Sequence, residues 1–241
     1  MPRLGRLALV ACLALASCRA APASTTDAGP APAAFVRDEA PVSLPAHVIP
    51  LPVVRQETNY SCGDGVALSL LRYYAPDPFS RTPESALYAP LHTTPQDGTE
   101  PQAIADYLNR QPGIAAEVRD GSDGGHVELD DLEHAVDRGD PTIVALQAWQ
   151  SVATYAQMKP WSTDWDDGHY AIVLGYDAKN LFFMDPSTSG HYTYVPIEQF
   201  LARWHDVLGT AEVHTQHIAV FVHGSRAVPA PPAAPTATLI N

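Results

Sequence analysis

The chain has 241 residues, room for one sizeable domain or at most two small ones. Lys and Arg number 14 against 27 Asp and Glu, a formal net charge of -13. No basic run offsets that balance, which excludes nucleic acid as a partner, since such binding needs cations that displace phosphate counterions.

Residues 1–18 read as a lipoprotein-type signal peptide. Arg3 and Arg6 precede a short apolar run, Leu7 to Ser17, too short to span a bilayer. The run ends in Leu15-Ala16-Ser17-Cys18, which resembles a bacterial lipobox and implies lipidation at Cys18. An ordinary secretory signal cut after Ala21 or Ala23 is the alternative, and export follows from both. The expected location is the cell envelope, on a membrane-anchored lipoprotein at the periplasmic face or the cell surface. Residues 19–46 are rich in Ala and Pro and are expected to be a flexible tether.

The globular domain is expected over 47–226, its first half helical. Cys62 to Tyr74 carries apolar residues around most of its circumference, the mark of a buried central helix. Pro101 opens a second helix that runs to about Asn109, and Leu129 to Arg138 forms a third, stopped by Gly139. The pattern then turns to strands at Thr142–Ala148, His169–Tyr176 and Leu181–Asp185, the last two joined by the polar turn 177–180. A short strand at Tyr192–Val195, a helix at Pro196–Trp204 and a closing strand at Gln216–His223 complete the domain. Helices first and a mostly antiparallel sheet later predict an α+β fold. Residues 227–241 are expected to be a disordered Pro/Ala tail.

Of the three cysteines, Cys12 leaves with the signal and Cys18 is lipidated or removed, so Cys62 is alone in the domain and has no disulfide partner. It opens a helix, where backbone N–H groups and the helix dipole favour a thiolate, the nucleophilic form. Gln56, on the entering loop, is placed to fold its amide back beside the sulfur and donate to an oxyanion together with the Cys62 N–H. His169 begins an otherwise apolar strand and suits a general base and acid. Asp185 ends the partner strand ahead of Pro186, at the same edge, where it would orient the imidazole.

Gln56 with Cys62-Gly63, then His169 with Val173 and Gly175-Tyr176-Asp177, then Asp185-Pro186, resemble the papain-like cysteine peptidases. More closely they are similar to stand-alone members of family thirty-nine, the double-glycine leader peptidases. Phe200 to Trp204 is similar to the segment after the Asp-Pro pair in stand-alone members, so the likeness runs over about residues 47–223. It implies a papain-like fold, a triad of Cys62, His169 and Asp185, an oxyanion hole from Gln56, and a peptide or protein substrate, with no metal or organic cofactor. Asp64-Gly65 departs from the Pro-Ala common among relatives, placing a negative charge near the thiol and a glycine in the helix. The best-known members are fused to membrane exporters, whereas this sequence has no membrane bundle and no phosphate-binding loop, so double-glycine specificity is not implied.

The expected activity is peptide-bond hydrolysis through a Cys62 thioester. An amidase, transpeptidase or acyltransferase would use the same triad, and a non-catalytic, lipid-tethered binding domain would retain the fold without the reaction. The histidines His205, His214, His217 and His223 lack the companions of a metal motif. Asp120 to Gly125 reads as a polar turn, not a calcium loop. Trp149 to Asp167, rich in Trp and Asp, reads either as a loop tucked down by its aromatics or as a cleft wall that favours basic substrates and raises the His169 pKa.

Overall fold

The computed structural model describes residues 40–120, 126–150, 157–209, 211–225 and 236–240. The signal with Cys12 and Cys18, most of the tether, most of the Asp120–Gly125 turn and Tyr155 lie outside the described residues.

An eight-stranded sheet organises the domain. Its strands are β1 (Val42–Ser43), β2 (Ile114–Arg119), β3 (Thr142–Gln147), β4 (Gly168–Tyr176), β5 (Asn180–Met184), β6 (Tyr192–Pro196), β9 (Ala219–Gly224) and β10 (Thr236–Leu239). Their order is β1-β10-β6-β5-β4-β3-β9-β2, antiparallel except where β10 runs parallel to β6. β7 (His205–Leu208) and β8 (Val213–Gln216) form a separate hairpin. The fold is α+β, as the sequence predicts.

Helix α1 (Cys62–Tyr74) packs on one face of the sheet and buries every residue except Cys62 and Arg72. Its Leu68, Leu70 and Leu71 share a core with Ile172 and Leu174 of β4 and Ile104 of α4 (Pro101–Asn109). Each such side chain contributes about 1.5–3 kcal/mol by leaving water. On the opposite face, Ala171 and Val173 of β4 pack with Leu132 of α5 (Leu129–Arg138) and Phe200 of α6 (Ile197–Arg203). β4 is thus covered on both sides, which is why it reads as an unbroken apolar run. Two short helices, α2 (Pro76–Phe79) and α3 (Tyr88–Leu91), lie between α1 and α4 in the chain.

The ends of the elements follow from their residues. Pro101 starts α4, and α5 is bounded by a reciprocal cap between Glu128 and Asp131 and by Gly139 at φ 80. The β4–β5 turn is held by Asp177, whose Oδ1 accepts the Lys179 and Asn180 N–H groups at 2.7 and 2.8 Å.

Two expectations about the ends of the domain are corrected. The tail expected at 227–241 to be disordered contributes β10, with Ala237 and Ile240 fully buried, and the tether expected over 19–46 supplies β1 beside it. Small residues after a Pro-rich stretch carry no periodic signal, and the register comes from the partner strand β6. The strand expected from Gln216 begins instead at Ala219, because His217 turns the chain at φ 58 between β8 and β9.

Candidate active site

Cys62 is the first residue of α1 and is half-buried. The preceding Ser61 makes no side-chain cap to the helix; its hydroxyl instead accepts from the Thr58 N–H at 3.2 Å and the Thr58 hydroxyl at 2.8 Å. The first N–H groups of α1 are therefore left without a side-chain cap beside the sulfur, where they favour an anion.

His169, next to the start of β4, and Asp185, just past β5, meet at the end of the hairpin, His169 Nε2 lying 2.8 Å from Asp185 Oδ1 with both side chains buried. Nε2 being taken, Nδ1 is the ring nitrogen open to Cys62, whose sulfur lies near enough to act on the charge of the imidazole. Burial pushes the imidazolium pKa down. The Asp185 carboxylate and the Cys62 sulfur push it up and prevail, leaving His169 raised to about 10. The sequence points to the carboxylates before β4 as the source of such a rise; the causes are Asp185 and Cys62.

The loop carrying Gln56 is tied to the same place. Its N–H donates to the Pro186 carbonyl at 2.8 Å, and the Arg55 guanidinium donates to the Ser187 carbonyl at 3.1 Å. A Cβ on Gly65 would lie 2.7 Å from the Pro186 Cβ, so the glycine that weakens α1 in isolation is what lets the helix dock on Pro186. Gln56 is held at both ends of its amide: Nε2 donates to the Thr58 carbonyl at 2.6 Å, and Oε1 accepts the Ser187 hydroxyl at 3.3 Å. All four residues named from the sequence, Gln56, Cys62, His169 and Asp185, are brought together; Cys18 lies outside the described residues.

This arrangement sits on a chain whose residues 48–212 match the model of the Peptidase_C39 like family. The chain belongs to that family. A C39-like peptidase from Bacillus anthracis is similar in fold, with a TM-score of 0.51 at 14% identity over 78% of this chain and 100% of that one. A double glycine motif protease from an AMS/PCAT transporter, solved in complex with the leader peptide, gives 0.45 at 14% identity over 78% and 100%. The peptidase domain of Streptococcus ComA, a bi-functional ABC transporter, gives 0.46 at 19% identity over 73% and 99%. No curated protein matches the chain.

Within this C39-like site, two residues carry roles that the sequence does not announce. Ser187 donates its backbone N–H to Asp185 Oδ1 at 2.7 Å, and its hydroxyl reaches His169 Nε2 at 3.5 Å. Asp-Pro-Ser after a strand is an Asx-turn signal and would have pointed to it. Trp149 donates its indole N–H to Asp185 Oδ2 at 3.1 Å, and nothing in its neighbours signals that contact.

The rest of the Trp/Asp segment, where described, is tucked down by its aromatics. Trp161 lies under the Arg203 guanidinium at 4.0 Å, and Trp165 sits between His205 and His214 at 4.2 and 4.4 Å. Asp164 is buried against Gln150. His217 stacks on Trp204, and His223 pairs with Asp140 at 2.7 Å. Among the described residues no three His, Cys, Asp or Glu groups are placed to hold a metal ion.

Two other buried carboxylates flank the site. Asp64, the departure from the usual motif, accepts the Thr93 hydroxyl at 2.9 Å and the Thr99 hydroxyl at 3.2 Å. Burial, helped by nearby Glu84, raises it to about 6 against the pull of those bonds. Its charge near neutral pH is thus partly restrained and spent on two threonines. Asp206 of β7 lies over Gly168, next to His169; burial prevails over the Val207 N–H, the Gln147 amide and the charge of His169 and raises it to about 7.

Proposed function

We propose that this chain is an exported cysteine peptidase, anchored by a lipid at Cys18, that cleaves peptide bonds through a Cys62 thioester. The observation that carries the reading is the buried His169–Asp185 pair at 2.8 Å with Cys62 against its imidazole at an uncapped helix N-terminus.

In the proposed cycle the Cys62 thiolate attacks the scissile carbonyl carbon, and the carbonyl π electrons move onto oxygen. That oxyanion accepts from the Cys62 N–H and from the Gln56 Nε2 hydrogen not engaged with Thr58. Collapse breaks the C–N bond while His169 Nδ1–H protonates the leaving amine. The neutral imidazole then takes a proton from water as it attacks the thioester, releasing the acid and restoring the thiolate–imidazolium pair. Asp185 holds the ring through Nε2 and stabilises its cation, without itself taking the proton.

Incubating the full chain and its Cys62→Ala form with a mixed peptide library under reducing conditions, with products read by mass spectrometry, tests the reaction. Cleavage abolished by the substitution is the expected result, and the cut sites supply the specificity. Products joined to an added amine in place of water would instead mark acyl transfer. Cleavage that survives in Cys62→Ala would sink the thioester mechanism. The anchor has its own test: the mature N-terminus isolated from expressing cells should begin at Cys18 and carry diacylglycerol mass, and an unmodified N-terminus at Pro22 or Ser24 would replace the anchor with an ordinary secretory signal.

A further inference from the structure

The Asp185 carboxylate is fully buried and accepts three hydrogen bonds. Oδ1 takes two, from His169 and from the Ser187 N–H; Oδ2 takes the Trp149 indole N–H, its donor among the described residues. The chain reaches that contact at a backbone cost. Ala148 still pairs with the strand that leads into β4, donating its N–H to the Asp167 carbonyl at 2.9 Å. One residue later Trp149 adopts φ 60, the left-handed region that a bulky aromatic rarely enters. The turn brings the indole to the carboxylate, while its ring stays packed against the core of α5 and α6. A strained aromatic whose N–H ends on the partner of the candidate general base is the arrangement expected of a part of the site.

We infer that Trp149 is a positioning residue of this site: its indole N–H holds the Asp185 carboxylate turned so that Oδ1 faces His169. The inference rests on the peptidase reading above. The physical argument is direct. Without that donor Oδ2 is left buried and unpaired, and a carboxylate that turns to find another partner stabilises the imidazolium less well. The thiolate–imidazolium pair then shifts towards the neutral thiol–imidazole pair, which holds the same number of protons, and the sulfur becomes the weaker nucleophile. The carboxylate is also free to rotate about its Cβ–Cγ bond, which weakens the 2.8 Å contact to Nε2.

Alkylation of Cys62 by iodoacetamide needs no substrate. In the full chain it is followed by mass spectrometry of the Cys62-containing peptide across pH. Wild type should label faster near pH 6 than a free thiol does. Trp149→Phe keeps a ring and loses the N–H; it should label roughly tenfold more slowly near pH 6 and about equally fast near pH 9, since a hydrogen bond to a charged group is at stake. On a cleaved peptide the same loss should fall on kcat, with KM little changed. A sulfur isostere of Trp149, 3-benzothienylalanine, removes the N–H at constant shape and should reproduce the shift even where Trp149→Phe folds poorly. A wild-type-like pH profile in the isostere, whatever its thermal stability, overturns the positioning role. A wild-type protein that labels at pH 6 only as slowly as a free thiol overturns the peptidase reading itself, so the two failures are distinct.

Discussion

His169→Ala is expected to lower kcat/KM for a cleaved peptide by about 10³–10⁴-fold, nearly all of it in kcat. The substitution removes the cation that faces the Cys62 sulfur and the acid that protonates the leaving amine, while the N-terminus of α1 and the Gln56 amide stay in place. Substrate contacts are spared, so KM should move little. The buried Asp185 carboxylate loses its main partner, and a thermal unfolding scan separates that cost from the catalytic one. Added imidazole should restore part of the rate, because the vacated space lies between sulfur and carboxylate. The pH dependence follows from the same pair. His169 is raised to about 10, so its imidazolium persists through neutral pH, and wild-type kcat/KM should hold there and decline as pH climbs towards that value. Retention of activity within tenfold of wild type in His169→Ala would remove the histidine from the mechanism.

Gly168→Ala should also be damaging, through geometry alone. A Cβ at position 168 would lie 2.2 Å from Asp206 Oδ1 and 2.8 Å from both Oδ2 and Cγ. Asp206 has no easy retreat, since Oδ1 is fixed by the Gln147 amide at 3.2 Å and the Val207 N–H at 2.8 Å. The strain must be taken up by the start of β4 or the β7 hairpin. It should cost about 1–3 kcal/mol of stability, as over-packing elsewhere does. Since His169 is the next residue, a displacement of about 1 Å is enough for an activity loss near 10²-fold. Asp206→Ala in the same chain removes the clash, so the double variant should recover most of the stability and activity, a coupling that a double-mutant cycle measures directly. Equal losses with and without Asp206 would assign the effect of Gly168 to something other than this contact.

The parts of the site that were legible are those whose chemistry is written locally. A cysteine opening an apolar helix, a histidine opening an apolar strand and an aspartate closing the next strand each occupy an element end, and the turn 177–180 shows that the last two share an edge. The helices were legible as well, α1 from its apolar circumference and α4 and α5 from the proline and the glycine that mark an end of each. β2, β7 and β8 were not. The alternation of β2, Ile114-Ala116-Val118 inward, runs through a single alanine and is faint, and β7 and β8 are only partly buried, with residues such as His214-Thr215-Gln216 that show no apolar alternation.

Sequence alone thus determined the fold class, the order of the main elements and the four residues that meet at the candidate site, because helix and strand periodicity and element ends depend on near neighbours. Tertiary structure alone decided the rest. The hydrogen bonds of Ser187 to Gln56 and of Trp149 to Asp185 join residues 131 and 36 positions apart. The glycines at 65 and 168 matter through Pro186 and Asp206, which no local pattern connects to them. β10 becomes a strand through its pairing with β6 and β1. Contacts between distant segments carry no sequence period, and they appear only once packing has brought the segments together.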